Sequence, residues 1–215
     1  MPEILWRNLP YLLQGAKISV LLFLASLGVG TVIGVVSGLM SVSRNGIWRG
    51  IIAAYVYVVR GIPLLIHLFV MYYVLPALAI DVDPYTGGIL VLAIYIGAFI
   101  SEITRGAIGS VSRGQLDAAQ SLGMTRAQAM RKIVLPQAVR YFIPPYINNA
   151  VMLVKLTSLV SIISLWELTL AGREIVERTL APFQIFGGIA VIYFVICYSL
   201  SLFGRSMERR IRFVH

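Results

Sequence analysis

Acidic residues are scarce in this chain: 9 Asp and Glu stand against 18 Lys and Arg, and charges of both signs occupy only 13% of 215 positions. Soluble domains carry about a quarter of their residues charged, and here 59% are hydrophobic with a mean hydropathy of +0.86. An ordinary soluble domain is therefore excluded. Cysteine is nearly absent too. Cys197 is the single one, so no intrachain disulfide can form, and its place in an apolar run makes it a small buried hydrophobe. The two histidines, His67 and His215, have no neighbouring Cys or His, so no metal site is expected; His67, inside an apolar run, reads as a packed side chain. No Gly-x-x-x-x-Gly-Lys-Ser/Thr segment occurs, which removes the phosphate-cradling loop that ATP hydrolysis needs. No paired acid/base or nucleophile constellation stands at a matching depth, which argues against a membrane-bound enzyme. The first residues, interrupted by Glu3 and Pro10, do not read as a cleaved signal peptide.

Long uncharged runs are what the chain has in abundance. A bilayer-spanning helix needs about 20 apolar residues, and spans are predicted at about 18–43, 47–79, 86–103, 145–165 and 179–204. The expectation is an all-α polytopic membrane protein of five helices forming a single domain over 1–215. Residues 1–16, with Trp6, Leu9, Tyr11 and Leu13 beside Arg7 and Gln14, read as a separate interfacial entry helix. Gly28, Gly30, Gly34 and Gly38 recur at spacings that admit a neighbouring helix closely. Arg60-Gly61-Ile62-Pro63 predicts a break near 61, with Pro63 restarting the helix in its first turn. Residues 167–178, ELTLAGREIVER, read as a polar connection with balanced charge. The basic residues gather at Arg44/Arg49, between Arg113 and Arg140, and in the tail Arg205, Arg209, Arg210 and Arg212, whereas Asp81, Asp83, Glu167, Glu174 and Glu177 fall on the other side. The positive-inside rule then places the N-terminus outside and the C-terminus in the cytoplasm.

Between the third and fourth spans lies a polar, helix-capable stretch of about 110–136, containing DAAQSLGMTRAQAMRKIVLP. Ser112 with Gln115, and Thr125 with Gln128, are spaced as capping boxes. Gly123 lies between them where a first helix ends in a residue tolerating positive φ, and Pro136 limits how far the second helix runs unkinked. A DNA-reading helix-turn-helix has the same outline. Tethered by membrane spans on both sides, however, this element has no reach into a major groove.

The residues Asp117, Ala118, Ala119, Gly123, Ile133, Leu135 and Pro136 resemble the cytoplasmic EAA loop of bacterial ABC importer permeases, with Asp at the position where that family usually has Glu. Arg60-Gly61-Ile62-Pro63-Leu64-Leu65, Glu102-Ile103-Thr104-Arg105-Gly106, Gly114-Gln115, Leu135-Pro136-Gln137-Ala138 and Lys155-Leu156-Thr157-Ser158-Leu159 look like the polar amino acid branch. The resemblance implies a permease of the type I importer fold, paired with a second copy or a homologue. It also implies two cytoplasmic ATPase subunits, which use ATP and Mg while this chain holds no cofactor, and an extracytoplasmic amino-acid-binding protein. The location it implies is the bacterial inner membrane.

Within that reading, Leu116, Asp117, Ala118, Ala119, Leu122, Gly123 and Arg126 are the ATPase-coupling candidates. The small residues give a low-relief face and the two leucines apolar anchors at its rim. The substrate candidates are Glu102, Asn149, Lys155, Thr157, Ser158, Ser161 and Glu167. At 1.5 Å per residue Lys155 lies near mid-bilayer, where a charge costs about 2.5–3.5 kcal/mol on insertion scales and faces a cavity or a partner. Two alternatives stay open: Lys155 pairs with Glu102, and the hydroxyls bond back to their own helix. Carboxylates such as Glu102 or Glu167 would suit a basic amino acid. The competing function is a channel or secondary transporter that works without an ATPase.

Overall fold

The computed structural model describes residues 2–212, with side chains over 3–209, so the side chains of Arg210 and Arg212 and the whole of His215 lie outside the described residues. Eight helical elements follow in order: α1 Pro2–Ser41, α2 Gly46–Gly61, α3 Leu64–Ala77, α4 Pro84–Gly109, α5 Arg113–Ser121, α6 Arg126–Ile163, α7 Leu168–Thr179 and α8 Pro182–Arg212. Among the described residues there is no strand. Four of these helices (α1, α4, α6 and α8) are long and apolar enough to cross a membrane, and the bent pair α2–α3 supplies a fifth crossing if it counts as one span.

The two halves of that pair meet at 98°. Proline disfavours helical geometry in the residue before it, and Ile62 is extended at φ −109°, ψ 133°. Pro63 stands at the N-cap of α3, one place earlier than the sequence predicts. Further along, α3 widens into a π-turn at Val70–Val74 just before Leu75-Pro76, and α6 does the same at Met130–Val134 just before Leu135-Pro136. Proline has no N–H and crowds the carbonyl four residues back. One extra residue in the preceding turn relieves both problems, so Pro136 does not end its helix.

Helices α1 and α4 run parallel along the glycine stripe. Gly30, Gly34 and Gly38 sit against Ile96, Ile100 and Thr104 in turn, and a Cβ at Gly34 would lie 2.5 Å from the Ile100 Cβ and 2.7 Å from the Gly97 carbonyl oxygen. Around this seam the main core collects Leu22, Leu68, Leu92, Leu153, Val160 and Leu165. Gly34→Ile is therefore expected to cost about 3 kcal/mol or more through overpacking against backbone. Folded, monodisperse permease should fall sharply in yield, whereas Gly28→Ile should remain near wild type because a Cβ there meets nothing within 4 Å.

Three expectations are corrected. There is no separate entry helix over 1–16, because α1 passes through Pro10 without a break. The supposed polar connection after Glu167 is helix α7, whose Leu168, Ala171, Gly172 and Ile175 are buried at helical spacing. That face packs on Leu12 and Ala16 of α1 and Ile185 and Ile189 of α8. Finally, the second half of the polar stretch is not a free-standing helix but the first turns of α6, continuous with the fourth span.

Candidate functional site

The elbow between α5 and α6 is built from backbone up. Helix α5 ends at Ser121, and Gly123 takes φ +74°. The Gly123 N–H donates to the Gln120 carbonyl at 2.9 Å and the Met124 N–H to the Ala119 carbonyl at 3.0 Å. These two bonds are a Schellman closure, which satisfies carbonyls the helix would leave bare. Thr125 then starts α6 with a complete capping box: Gln128 N–H donates to Thr125 Oγ1 at 3.3 Å and Thr125 N–H to Gln128 Oε1 at 2.9 Å. The box predicted at Ser112 does not form, since Ser112 makes no side-chain cap. Gln115 instead accepts a long 3.5 Å contact from Gln137.

Burial divides the coupling candidates into two sets. Asp117, Ala118, Gly123 and Arg126 are exposed, and Leu122 is 78% exposed. Ala119 is 1% exposed, and Leu116 packs with Ala107, Val111, Val134 and Ala138 beneath the elbow. Leu116 is thus not a rim anchor but rivets the elbow to the end of α4 and the first turns of α6, and the buried Ala119 is not part of an outer face. A Cβ on Gly123 would meet no atom within 4 Å, so the glycine answers to backbone geometry and leaves its surroundings open.

The substrate candidates do not assemble into one cluster. Glu102 forms a two-pronged pair with Arg105, at 3.0 Å from Nε and 2.8 Å from Nη2, and lies 3.8 Å from Arg60 Nη1. The Arg60 guanidinium also stacks 4.9 Å above the Phe99 ring. No ion pair joins Glu102 to Lys155 among the described residues, so the pairing considered for them is not made. Lys155 is exposed on α6, and beyond it the helix tightens into a 3₁₀ segment, Thr157–Ile163, that stops at Ser164 in the left-handed region, φ 61°. Thr157, Ser158 and Ser161 each donate back to a carbonyl three residues earlier, all at 2.7 Å. Asn149 Nδ2 donates to the Pro145 carbonyl at 2.9 Å. His67 is held by the Pro63 carbonyl at 3.2 Å and the edge of Tyr95.

Glu167 is not a solvated connector. It is fully buried and N-caps α7, with Oε1 accepting from the Thr169 and Leu170 N–H groups and Oε2 from Ser19 and Tyr193, each at 2.9 Å. Both oxygens are occupied, so it offers nothing to a substrate and instead joins α1, α7 and α8. The sequence signal was present: an acid immediately before a Leu-x-x-Ala-Gly-x-x-Ile periodicity is a helix start. Burial raises its pKa above the ordinary carboxylate value, while the Tyr193, Ser19 and backbone hydrogen bonds pull the other way. A carboxyl whose folded pKa is raised contributes its stability fully below the unfolded pKa and loses it as pH rises through the folded value. Thermal stability of the purified permease should therefore decline on that rise, and Glu167→Gln should flatten the slope; an unchanged slope would count against burial as the cause. Nearby, Glu174 accepts from Tyr11 Oη and from Trp166 Nε1. Among the described residues no group of three His, Cys, Asp or Glu is placed to hold a metal.

Comparison with known proteins places this architecture. Residues 30–213 match the family described as "Binding-protein-dependent transport system inner membrane component". The glutamine transport system permease protein GlnP of Escherichia coli (strain K12) is 33% identical over 210 residues, covering 97% of this chain and 96% of GlnP. The L-cystine transport system permease protein TcyB of Bacillus subtilis (strain 168) is 36% identical over 203 residues, covering 94% of this chain and 87% of TcyB. The crystal structure of an amino acid ABC transporter with histidines superposes with a TM-score of 0.91 at 32% identity, covering 96% of each chain. An inward-facing structure of the MetNI methionine ABC transporter, at TM-score 0.81 and 20% identity over 95% of this chain and 98% of the other, shares the fold.

Proposed function

The chain belongs to the family of binding-protein-dependent transport system inner membrane components and is the permease component of an amino acid ABC importer, and from that premise we propose that its α5–α6 elbow is where a cytoplasmic ATPase subunit drives it. The supporting observation is the elbow itself. It is closed at both helix ends by hydrogen bonds, riveted from beneath by Leu116, and it presents Leu122 outward at 78% exposure. A rigid, outward-facing knob continuous with the fourth span transmits displacement into the membrane; a floppy loop does not. An ATPase-independent channel or secondary transporter has no use for such a knob.

The assembly consists of two permeases, of which the second is a copy or a homologue, two ATPases using ATP and Mg, and an extracytoplasmic amino-acid-binding protein. The N-terminus lies outside and the C-terminus inside, on the strength of the basic residues at Arg44, Arg49 and Arg113 to Arg140. Substrate moves by alternating access past Lys155 and Ser158, while Asn149, Thr157 and Ser161 brace the helix on either side through their own backbone bonds. Lys155 meets the α-carboxylate, and the Ser158 hydroxyl exchanges its bond to the Lys155 carbonyl for substrate. Glu102 lines the path with its charge balanced by Arg60 and Arg105. With Glu102 so balanced and Glu167 sealed in the core, the favoured cargo is a polar amino acid without a cationic side chain. Proteoliposomes holding the permease, its ATPase and its binding protein test this reading: uptake of a neutral polar amino acid requires internal ATP. Uptake undiminished without ATP overturns it.

A further inference from the structure

A cavity of about 330 Å³ opens between α2 and the last turns of α4. Its wall carries Arg49, Arg60 and Arg105 against the single carboxylate of Glu102, so three positive charges face one negative and the cavity is cationic by two. Glu102 is shared by Arg105 and Arg60, whose side chains remain 52% and 42% exposed. Arg49 makes no ion pair among the described residues. The floor is apolar, with Ile52 and Val56 buried beneath the arginines. The same wall carries Ala53 and Tyr57, both exposed, Tyr57 at 79%, so apolar surface adjoins the charges within the cavity.

We propose that this cavity binds the phosphodiester of an acidic phospholipid, with Arg49 and Arg105 gripping the phosphate and an acyl chain lying along Ala53 and Tyr57. Guanidinium forks match phosphate oxygens two at a time. Basic pockets between membrane helices near a positively charged membrane face take anionic headgroups. The Arg44/Arg49 turn lies on the cytoplasmic face in the orientation proposed above. A free amino acid would fill the charged part but leaves the apolar lining of Ile52, Ala53, Val56 and Tyr57 without purpose, which is why a lipid fits better. Glu102 with its two arginines is common to this cavity and to the substrate path proposed above, whereas Arg49 belongs only to the cavity and Lys155 only to the path, so variants at those two positions test the assignments separately.

The test uses the assembled importer in nanodiscs of mixed phosphatidylglycerol and phosphatidylcholine, re-extracted and weighed intact by native mass spectrometry. Wild type should retain phosphatidylglycerol over phosphatidylcholine. Arg49→Gln should reduce that retention about fivefold, the loss expected for one basic residue beside anionic headgroups. Arg49 is exposed, so neither this variant nor the charge-keeping Arg49→Lys disturbs the core, and Arg49→Lys should keep most of the retention. Equal retention in wild type and Arg49→Gln overturns the proposal. So does displacement of the lipid by inorganic phosphate, which makes it a free-phosphate site, or by a panel of amino acids, which makes it part of the substrate path.

Discussion

Gly123→Trp is expected to stop ATP-driven uptake while leaving the permease folded. The residue sits at φ +74°, and an added Cβ meets nothing within 4 Å in the chain itself. Two separate effects then arise. Any L-residue forced into the left-handed region costs about 1–2 kcal/mol, a penalty that Gly123→Ala carries alone. Tryptophan adds bulk that this chain has room for but a docked ATPase does not. Gly123→Ala should keep most of its uptake, and Gly123→Asn should keep more, since asparagine tolerates the left-handed region. Gly123→Trp should lose uptake by at least about tenfold, the equivalent of about 1.4 kcal/mol of docking energy, and should release the ATPase on size exclusion. Normal assembly and uptake in Gly123→Trp would refute the elbow as a docking site.

Lys155→Met carries the second large effect. Removing a charge at membrane depth relieves an insertion cost of about 2.5–3.5 kcal/mol, so the variant should fold at least as well as wild type. Transport should nevertheless suffer. Losing one desolvated charge contact to a bound carboxylate costs about 2 kcal/mol or more, which is about thirtyfold in affinity. The KM for uptake should rise by about that factor, with Lys155→Arg recovering part of it. A lysine that only reaches toward headgroups would give unchanged kinetics on substitution by methionine. Ser158→Ala offers a finer reading, because its hydroxyl already closes the Lys155 carbonyl at 2.7 Å and its removal should affect the turn more than the charge.

Elements governed by backbone chemistry were the most legible in the sequence. Gly123 was readable because few residues accept positive φ, Pro63 because it forbids helical geometry at Ile62, and the box at Thr125 because its two partners are three residues apart. The glycine stripe of α1 was readable as a packing surface, though nothing local named α4 as its partner. What escaped was decided by tertiary context. Glu167 looked solvated because acids usually are; its burial depends on Ser19 and Tyr193, 148 and 26 residues away in the chain. Leu116 looked outward because an apolar residue on a polar helix suggests a contact, and only the positions of Val111 and Val134 turn it inward. Glu102 has Arg105 at i+3 as its nearer partner by simple helical spacing, a local signal that outranks a pairing with the distant Lys155.

Accessibility of a single cysteine at position 122 tests the central claim most directly. In a Cys197→Ala background, Leu122→Cys lies on the exposed side of the elbow and is open to a membrane-impermeant maleimide in the isolated permease. On assembly with the ATPase the labelling rate should drop by at least about tenfold, as expected for a residue moved from solvent into an interface core. An unchanged rate in a complex that hydrolyses ATP and transports amino acid would contradict the account.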